Sequence, residues 1–316
     1  MIYALLFTLL FILLLAYFKI ADHYNIIDKP NHRSSHTAIT IRGGGVVYPF
    51  AILLYTIFFQ DVSYVLVAGI VMISAVSFWD DVQNLPNKVR LLVHLLSVTA
   101  LLLSVKAFQE WPLWLLPIVY ILVIGTINAY NFMDGINGIT GMYSLVILGS
   151  LLYVNYYISP FTDSAFIICP VIASLVFLFF NFRKKAKCFA GDVGSVSIGF
   201  WIIALLVMVI INTGDLKYVL FLAVYGVDAV LTIIHRLILK QNIFEAHRLH
   251  FYQILANDKK VSHLIIASAY GVLQLFINST IITSSLTIVS FTFAILIPLA
   301  LIYIIAKPKL MAKSIA

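Results

Sequence analysis

Charge is what this sequence lacks. Asp, Glu, Lys and Arg make up 10% of its 316 residues and hydrophobic residues 62%, with a mean hydropathy of +1.05. Soluble domains carry about 25% charged residues, so this composition excludes an ordinary soluble domain. Cysteine is nearly absent as well. Cys169 lies in an apolar stretch and Cys188 in a basic one, and two such thiols make no disulfide framework. Zinc spacing, a P-loop and a dinucleotide fingerprint are all missing. Arg42-Gly43-Gly44-Gly45 is glycine-rich but has neither the strand nor the lysine of a phosphate loop, and reads as a flexible entry into an apolar segment.

Long apolar runs take the place of charge. About eleven approach the ~20 residues that cross a bilayer: 2–18, 43–59, 62–79, 91–108, 113–130, 139–158, 164–182, 195–213, 216–235, 262–281 and 284–306. The first has no basic leader, and Asp22-His23-Tyr24 follows it instead of a small-residue cleavage site, so it reads as a retained span. The expected fold is an all-α polytopic integral membrane protein, one membrane-embedded domain over 1–316.

The net charge of +7 is placed for topology and not for nucleic acid. With the N-terminus outside, the inner segments hold Lys19, Lys29, Arg33, Arg42, Lys88, Arg90, Arg183, Lys184, Lys185, Lys187, Arg236, Lys240, Arg248, Lys259, Lys260, Lys307, Lys309 and Lys313. The outer ones hold Lys106 and Lys217, 18 against 2 of the 20. The positive-inside rule then puts the C-terminus in the cytoplasm.

Polar chemistry collects in the same inner segments, 19–42, 79–90, 128–140, 181–195 and 236–261. Asn128, Asn131 and Asp134, spaced i, i+3, i+6 at the end of a membrane segment, would share one helix face, with Gly135-Ile136-Asn137-Gly138 following. Such groups in hydrocarbon cost several kcal/mol each unless satisfied. Asp80 and Asp81 are adjacent at another helix end and call for a cation or a shared proton. Gly191-Asp192 at a helix entrance could hold a metal while helix-start N–H groups face an anion, with N-capping by Asp192 as the plain alternative. In Asp28-Lys29-Pro30-Asn31-His32-Arg33-Ser34-Ser35-His36, ending at Arg42, guanidinium groups suit phosphate. His247 and His250, three apart beside Arg248, would share a helix face. Carboxylates suit Mg²⁺, which combines one or two of them with substrate phosphates. Four aspartates and the basic clusters on one membrane side therefore point to phosphoryl transfer at a lipid–water boundary.

The motifs taken in order resemble a known family. Asp28-x-Pro30-Asn31-x-Arg33-x-x-His36 with Arg42-Gly43-Gly44-Gly45, Asp80-Asp81-x-x-Asn84, Asn128-x-x-Asn131-x-x-Asp134-Gly135-x-Asn137-Gly138, Phe189-x-Gly191-Asp192-x-Gly194-Ser195 and His247-Arg248-x-His250-x-Tyr252 are similar to those of the polyprenyl-phosphate N-acetylhexosamine-1-phosphate transferases. These are relatives of the phospho-N-acetylmuramoyl-pentapeptide transferase. The resemblance implies transfer of an N-acetylhexosamine-1-phosphate from a UDP-sugar to undecaprenyl phosphate in a bacterial cytoplasmic membrane, releasing UMP. Mg²⁺, replaceable by Mn²⁺, would be the cofactor. Asp192 would hold the metal, while Asp80, Asp81, Asp134, His247 and His250 would be catalytic. Arg33, His36, Arg42, Asn128, Asn131, Gly135, Ile136, Asn137, Phe189 and Arg248 would bind substrate. Membrane lipid, the two substrates and a second copy of the chain are the expected partners.

Two departures stand out: Arg248 and Leu249 separate the histidines where the muramoyl-pentapeptide branch has three in a row, and position 84 is Asn. A transporter of an anionic substrate is the alternative, and a silent scaffold a third reading. Against a carrier, the charges gather at one face instead of the bilayer midplane.

Overall fold

A computed structural model describes residues 1–28, 39–59, 63–242 and 248–312. The helices are α1 (Ile2–His23), α2 (Val47–Phe58), α3 (Tyr64–Val82), α4 (Asn87–Ser104), α5 (Ala107–Glu110), α6 (Leu116–Phe132), α7 (Ile139–Tyr157), α8 (Ser164–Asn181), α9 (Gly191–Thr213), α10 (Ala223–Ile238), α11 (Phe251–Asn257), α12 (His263–Thr283), α13 (Ile288–Phe291) and α14 (Ile297–Ala312). Among the described residues, ten helical segments are long and apolar enough to span a bilayer. The expected all-α polytopic membrane fold is therefore present. The second apolar run is the exception: its helical part, Gly44–Phe58, covers ~22 Å of a ~30 Å hydrocarbon core. Its start is tied down elsewhere. The N–H of Gly44 donates to Phe189 O and that of Gly45 to Ala190 O, so the chain enters α2 through a 3-10 turn.

α9 is the central column, packed against α2, α3, α6 and α7 and almost wholly buried. Its small residues let neighbours approach, and hydroxyls supply hydrogen bonds where lipid can offer none. Ser197 and Ser74 of α3 bond at 2.7 Å, Ser195 donates to Asn131 of α6 at 2.7 Å, and Trp201 Nε1 donates to Phe166 O of α8 at 3.1 Å. A second buried knot repairs a helix break. Before α10 the chain runs as a 3-10 helix, Leu216–Leu222, which leaves backbone groups without α-helical partners. Gln274 of α12 accepts from the Val224 N–H and from Tyr143, and donates to Leu220 O and Asn278. Around the bundle, Leu15, Leu53, Leu96, Ile121, Phe276 and Ile302 stand exposed, as lipid-facing side chains must.

At one end, strand β1 (Ile27–Asp28) pairs antiparallel with β2 (Thr40–Ile41), and Ile41 bridges onward to Cys188. Gly45 then lies against α9 so closely that a Cβ there would sit 2.1 Å from Gly194 Cα. This corrects the reading of Arg42–Gly45 as a flexible entry: it is a backbone-to-backbone joint. The joint, the turns after α3, α6 and α8, and α11 all gather at this end, joined by the contacts described next.

Candidate active site

The centre of the site is the first turn of α9. A helix start exposes N–H groups and a partial positive charge. Here a carboxylate from another helix takes both. Asp81 Oδ1 accepts from the Asp192 N–H and Oδ2 from the Val193 N–H, each at 2.9 Å, while Arg42 Nε donates to Oδ1 at 2.7 Å. The Asp81 side chain is fully buried. Two sequence expectations change accordingly. The helix-start N–H groups bind Asp81 and not an external anion, and Asp192 does not cap its own helix. Nor do Asp80 and Asp81 turn to one shared cation. Asp80 takes different partners, accepting from the Leu85 N–H at 2.7 Å, pairing with Arg90 Nη1 at 3.0 Å and hydrogen-bonding the Asp192 side chain. Adjacent positions on a helix lie ~100° apart, which is why one faces α9 and the other α4.

Asp192 projects from the same turn between two guanidinium groups, Arg42 Nη2 at 3.7 Å and Arg90 Nη2 at 3.4 Å. Arg90 therefore bridges Asp80 and Asp192. Sequence reading counted it only as a topology charge. A usable signal was present: Arg90 sits in the first turn of α4, where the helix dipole disfavours a cation unless carboxylates hold it.

A cavity of about 370 Å³ opens beside this turn. Of the expected site residues it is lined by Arg42, Asn131, Asp134, Gly135, Ile136, Asn137, Phe189 and Asp192. Asp28, Asn181, Gln253 and His263 also line it, and none of these was singled out as binding or catalytic. Asn128 is not among the lining residues. Its amide donates to Ile124 O of its own helix, and α6 ends at Phe132, so Asp134 has left the helical face on which the i, i+3, i+6 spacing placed it. Asn131 stays near Asp134 because the Asp134 N–H donates to Asn131 O at 3.2 Å, while its side chain accepts from Ser195 of α9.

The turn from α6 to α7 is held from three sides. Asn181 Oδ1 accepts from the Gly138 N–H at 2.6 Å, Asn137 Nδ2 donates to Arg183 O at 2.8 Å, and Tyr252 donates to Phe132 O at 3.0 Å. The Tyr252 phenol lies under Gly135, where a Cβ would fall 2.2 Å from its oxygen, so glycine is required there. Asp134 accepts from Thr140 Oγ1 at 2.6 Å. Burial pushes its carboxyl up to about 6, with the Thr140 bond pulling downward and the charge of Asp81 adding to the rise.

The last inner segment departs from expectation. His250 is buried, precedes α11 as its N-cap, and faces Asp228 of α10 with Nδ1 at 3.4 Å. Asp228 also accepts from the Phe251 N–H at 2.9 Å and from Tyr270 at 2.8 Å. α11 starts only at Phe251, and His250 is placed as a structural cap and not as a group at the cavity. Arg248 is half-buried in the approach to α11 and does not line the cavity. Arg33, His36 and His247 lie outside the described residues.

Among the described residues lining the cavity, Asp28, Asp134 and Asp192 face a single arginine, Arg42. Such a wall repels a diphosphate unless a cation joins it. Among the described residues no cluster of three or more His, Cys, Asp or Glu forms a complete protein cage. Mg²⁺ needs none, since one or two carboxylates with water and substrate phosphates suffice. Asp192, with Asp80 behind Arg90, would be the residues to hold such an ion.

A helical membrane fold with a polar, acid-lined cavity at one end of its central helix defines an integral membrane protein whose chemistry lies at a membrane face. Residues 63–210 match the family model described as glycosyl transferase family 4. That family contains phospho-N-acetylmuramoyl-pentapeptide transferase and related polyprenyl-phosphate hexosamine-1-phosphate transferases, and the match supports a transferase. The matched segment carries Asp80, Asp81, Asn131, Asp134 and Asp192, whereas the first and last inner segments lie beyond it. No curated protein matches the chain.

Proposed function

We propose that the protein moves an N-acetylhexosamine-1-phosphate from a UDP-sugar to undecaprenyl phosphate in a bacterial cytoplasmic membrane, on the cytoplasmic face. A lipid-phosphate oxygen attacks the β-phosphorus, the bond from that phosphorus to the bridging oxygen breaks, and UMP leaves with the oxygen. The product is undecaprenyl-diphosphate-sugar, the start of a lipid-linked surface glycan. The observation that carries this reading is the acid-lined cavity set against paired arginines at the start of α9. Carboxylates without a bound cation suit neither substrate, and with one they suit both. Bound at Asp192, Mg²⁺ would neutralise diphosphate charge as it builds on the leaving UMP.

The chain's own groups then divide the work. Arg42 is fixed by Asp81, which makes it a preorganised phosphate donor at the cavity edge. Phe189 offers a phenyl face among the described lining residues, and the Gly135–Asn137 turn offers backbone at the same cavity, an arrangement suited to the uracil. Lipid access has a plausible physical basis too. An apolar groove of about 660 Å³ runs along α6 and α10 and reaches Ala129 and Tyr130, adjacent to Asn131. Gly125 and Gly226 line it, and a Cβ on either would touch nothing within 4 Å. A polyprenyl tail lying there would present its phosphate near the cavity. Because a lipid phosphate is already an anionic nucleophile, direct displacement needs positioning more than a covalent relay.

The test uses purified protein, undecaprenyl phosphate and a panel of UDP-N-acetylhexosamines alongside UDP-MurNAc-pentapeptide. UMP release should require the lipid and one of the simple sugars. Failure to release UMP with any of them, or efficient use of the muramoyl-pentapeptide donor, would overturn this reading. A stoichiometric burst of UMP without lipid would instead indicate a covalent route.

A further inference from the structure

The geometry points to Arg90 as a resident counter-ion that a divalent cation must displace. Its guanidinium reaches Asp80 Oδ2 at 3.0 Å and Asp192 Oδ2 at 3.4 Å, linking carboxylates from α3 and α9. A fork of two N–H donors between two carboxylates occupies the bridging position that a hard cation would take. Both acids are well covered, with side chains 9% and 18% exposed, so neither is left to water when its cation goes. The arginine itself is 27% exposed and stands at the start of α4, on the unfavourable end of the helix dipole. It is therefore held by these two contacts and free to swing once they are replaced.

Arg42 cannot play the same part. Its Nε is committed to Asp81, and its contact with Asp192 is looser, at 3.7 Å. Arg90 thus acts as a cation-exchange gate: without metal it balances the charge of the two carboxylates, which also hydrogen-bond each other, then yields them to the metal and becomes available to a substrate phosphate. Metal affinity in the substrate-free protein is accordingly weak, and substrate binding strengthens it by giving the displaced guanidinium a new partner.

This inference rests on the proposed placement of the metal at Asp192, and the experiment separates the two. Mn²⁺ binding to the purified, substrate-free protein is measured by electron paramagnetic resonance for wild type, Asp192→Asn, Arg90→Gln and Arg90→Lys. Circular dichroism serves as the fold control. Asp192→Asn should abolish binding, and Arg90→Gln should tighten it by about tenfold or more, because a competing charge is gone. Arg90→Lys, whose single ammonium cannot span both acids, should tighten it by a smaller factor and keeps the test decisive if the glutamine variant does not fold. Unchanged or weaker Mn²⁺ binding in the folded Arg90 variants, with binding lost in Asp192→Asn, would overturn the gate alone. Wild-type binding in Asp192→Asn would overturn the metal placement beneath it.

Discussion

Asp81→Asn should damage the protein by a different route from Asp192→Asn, although both remove one carboxylate from the same few ångströms. The Asp81 carboxylate accepts three hydrogen bonds, from Arg42 Nε and from the N–H groups of Asp192 and Val193. An asparagine keeps one oxygen and turns an NH₂ toward the other side, donor against donor. One charge-assisted bond is lost, about 2 kcal/mol, and a buried N–H at Val193 or Asp192 goes unsatisfied, about 1–3 kcal/mol more. Weakened interaction with the α9 dipole adds about 0.5–1 kcal/mol. The broken ion pair adds little, because the Arg42 side chain is 36% exposed and rehydrates. The sum is about 3.5–6 kcal/mol of stability, enough to lower Tm by roughly 10 °C or more. Asp192, by contrast, makes ion contacts at 3.4 and 3.7 Å and a side-chain hydrogen bond with Asp80, and an asparagine can keep that hydrogen bond, so its variant should lose only about 1 kcal/mol and melt closer to wild type than Asp81→Asn. It should nevertheless lose about a thousandfold in rate with its Mg²⁺ response. Thermal unfolding in detergent and UMP release, measured on both variants, separate the two roles. An Asp81→Asn protein with wild-type Tm and no activity would refute the structural role argued for Asp81.

Gly45→Ala should destabilise by about 1–3 kcal/mol or more, since its Cβ would meet Gly194 Cα at 2.1 Å and neither backbone can yield, and a wild-type melt would contradict the joint. The pH profile of transfer should lose its acidic side as Asp134 protonates near its raised pKa of about 6, and Thr140→Val, which removes the bond that favours the carboxylate, should move that limb upward by up to about one pH unit. Stability should run the opposite way: folded Asp134 holds its proton more tightly than the unfolded chain, with its value of 3.8, so stability is lost as pH rises from about 4 through 6, which a melting series would detect. Cysteines placed at Asn84 and Lys185, both exposed, and at Gln253 should be protected from an impermeant reagent in intact cells, and labelling from outside would reverse the topology.

Composition and the apolar runs were enough to read the class of fold, because both respond to the bilayer and not to any particular neighbour. Apolar runs must match hydrocarbon thickness wherever they pack, and basic residues sort by membrane side. The same reading brought Arg42, Asn131, Asp134, Gly135 to Asn137, Phe189 and Asp192 together, since polar groups at the ends of successive spans share one face of the membrane. What each group does there depended on contacts between segments far apart in the chain. Asp80 and Asp81 are neighbours in sequence and look equivalent, yet one meets α4 and the other caps α9, a difference of ~100° that only packing resolves. Glycines 43–45 looked loose until α9 was laid against them at backbone distance. His250 carried the composition of a catalytic group and is a buried cap paired with Asp228, while Arg90, counted as a topology charge, bridges the two acids most suited to a metal. The sequence by itself determined which chemistry could exist at the membrane surface. The tertiary structure decided which of the charged groups are neutralised by one another and which are left facing the cavity, because Coulomb energies and desolvation depend on distances of a few ångströms that no spacing along the chain specifies.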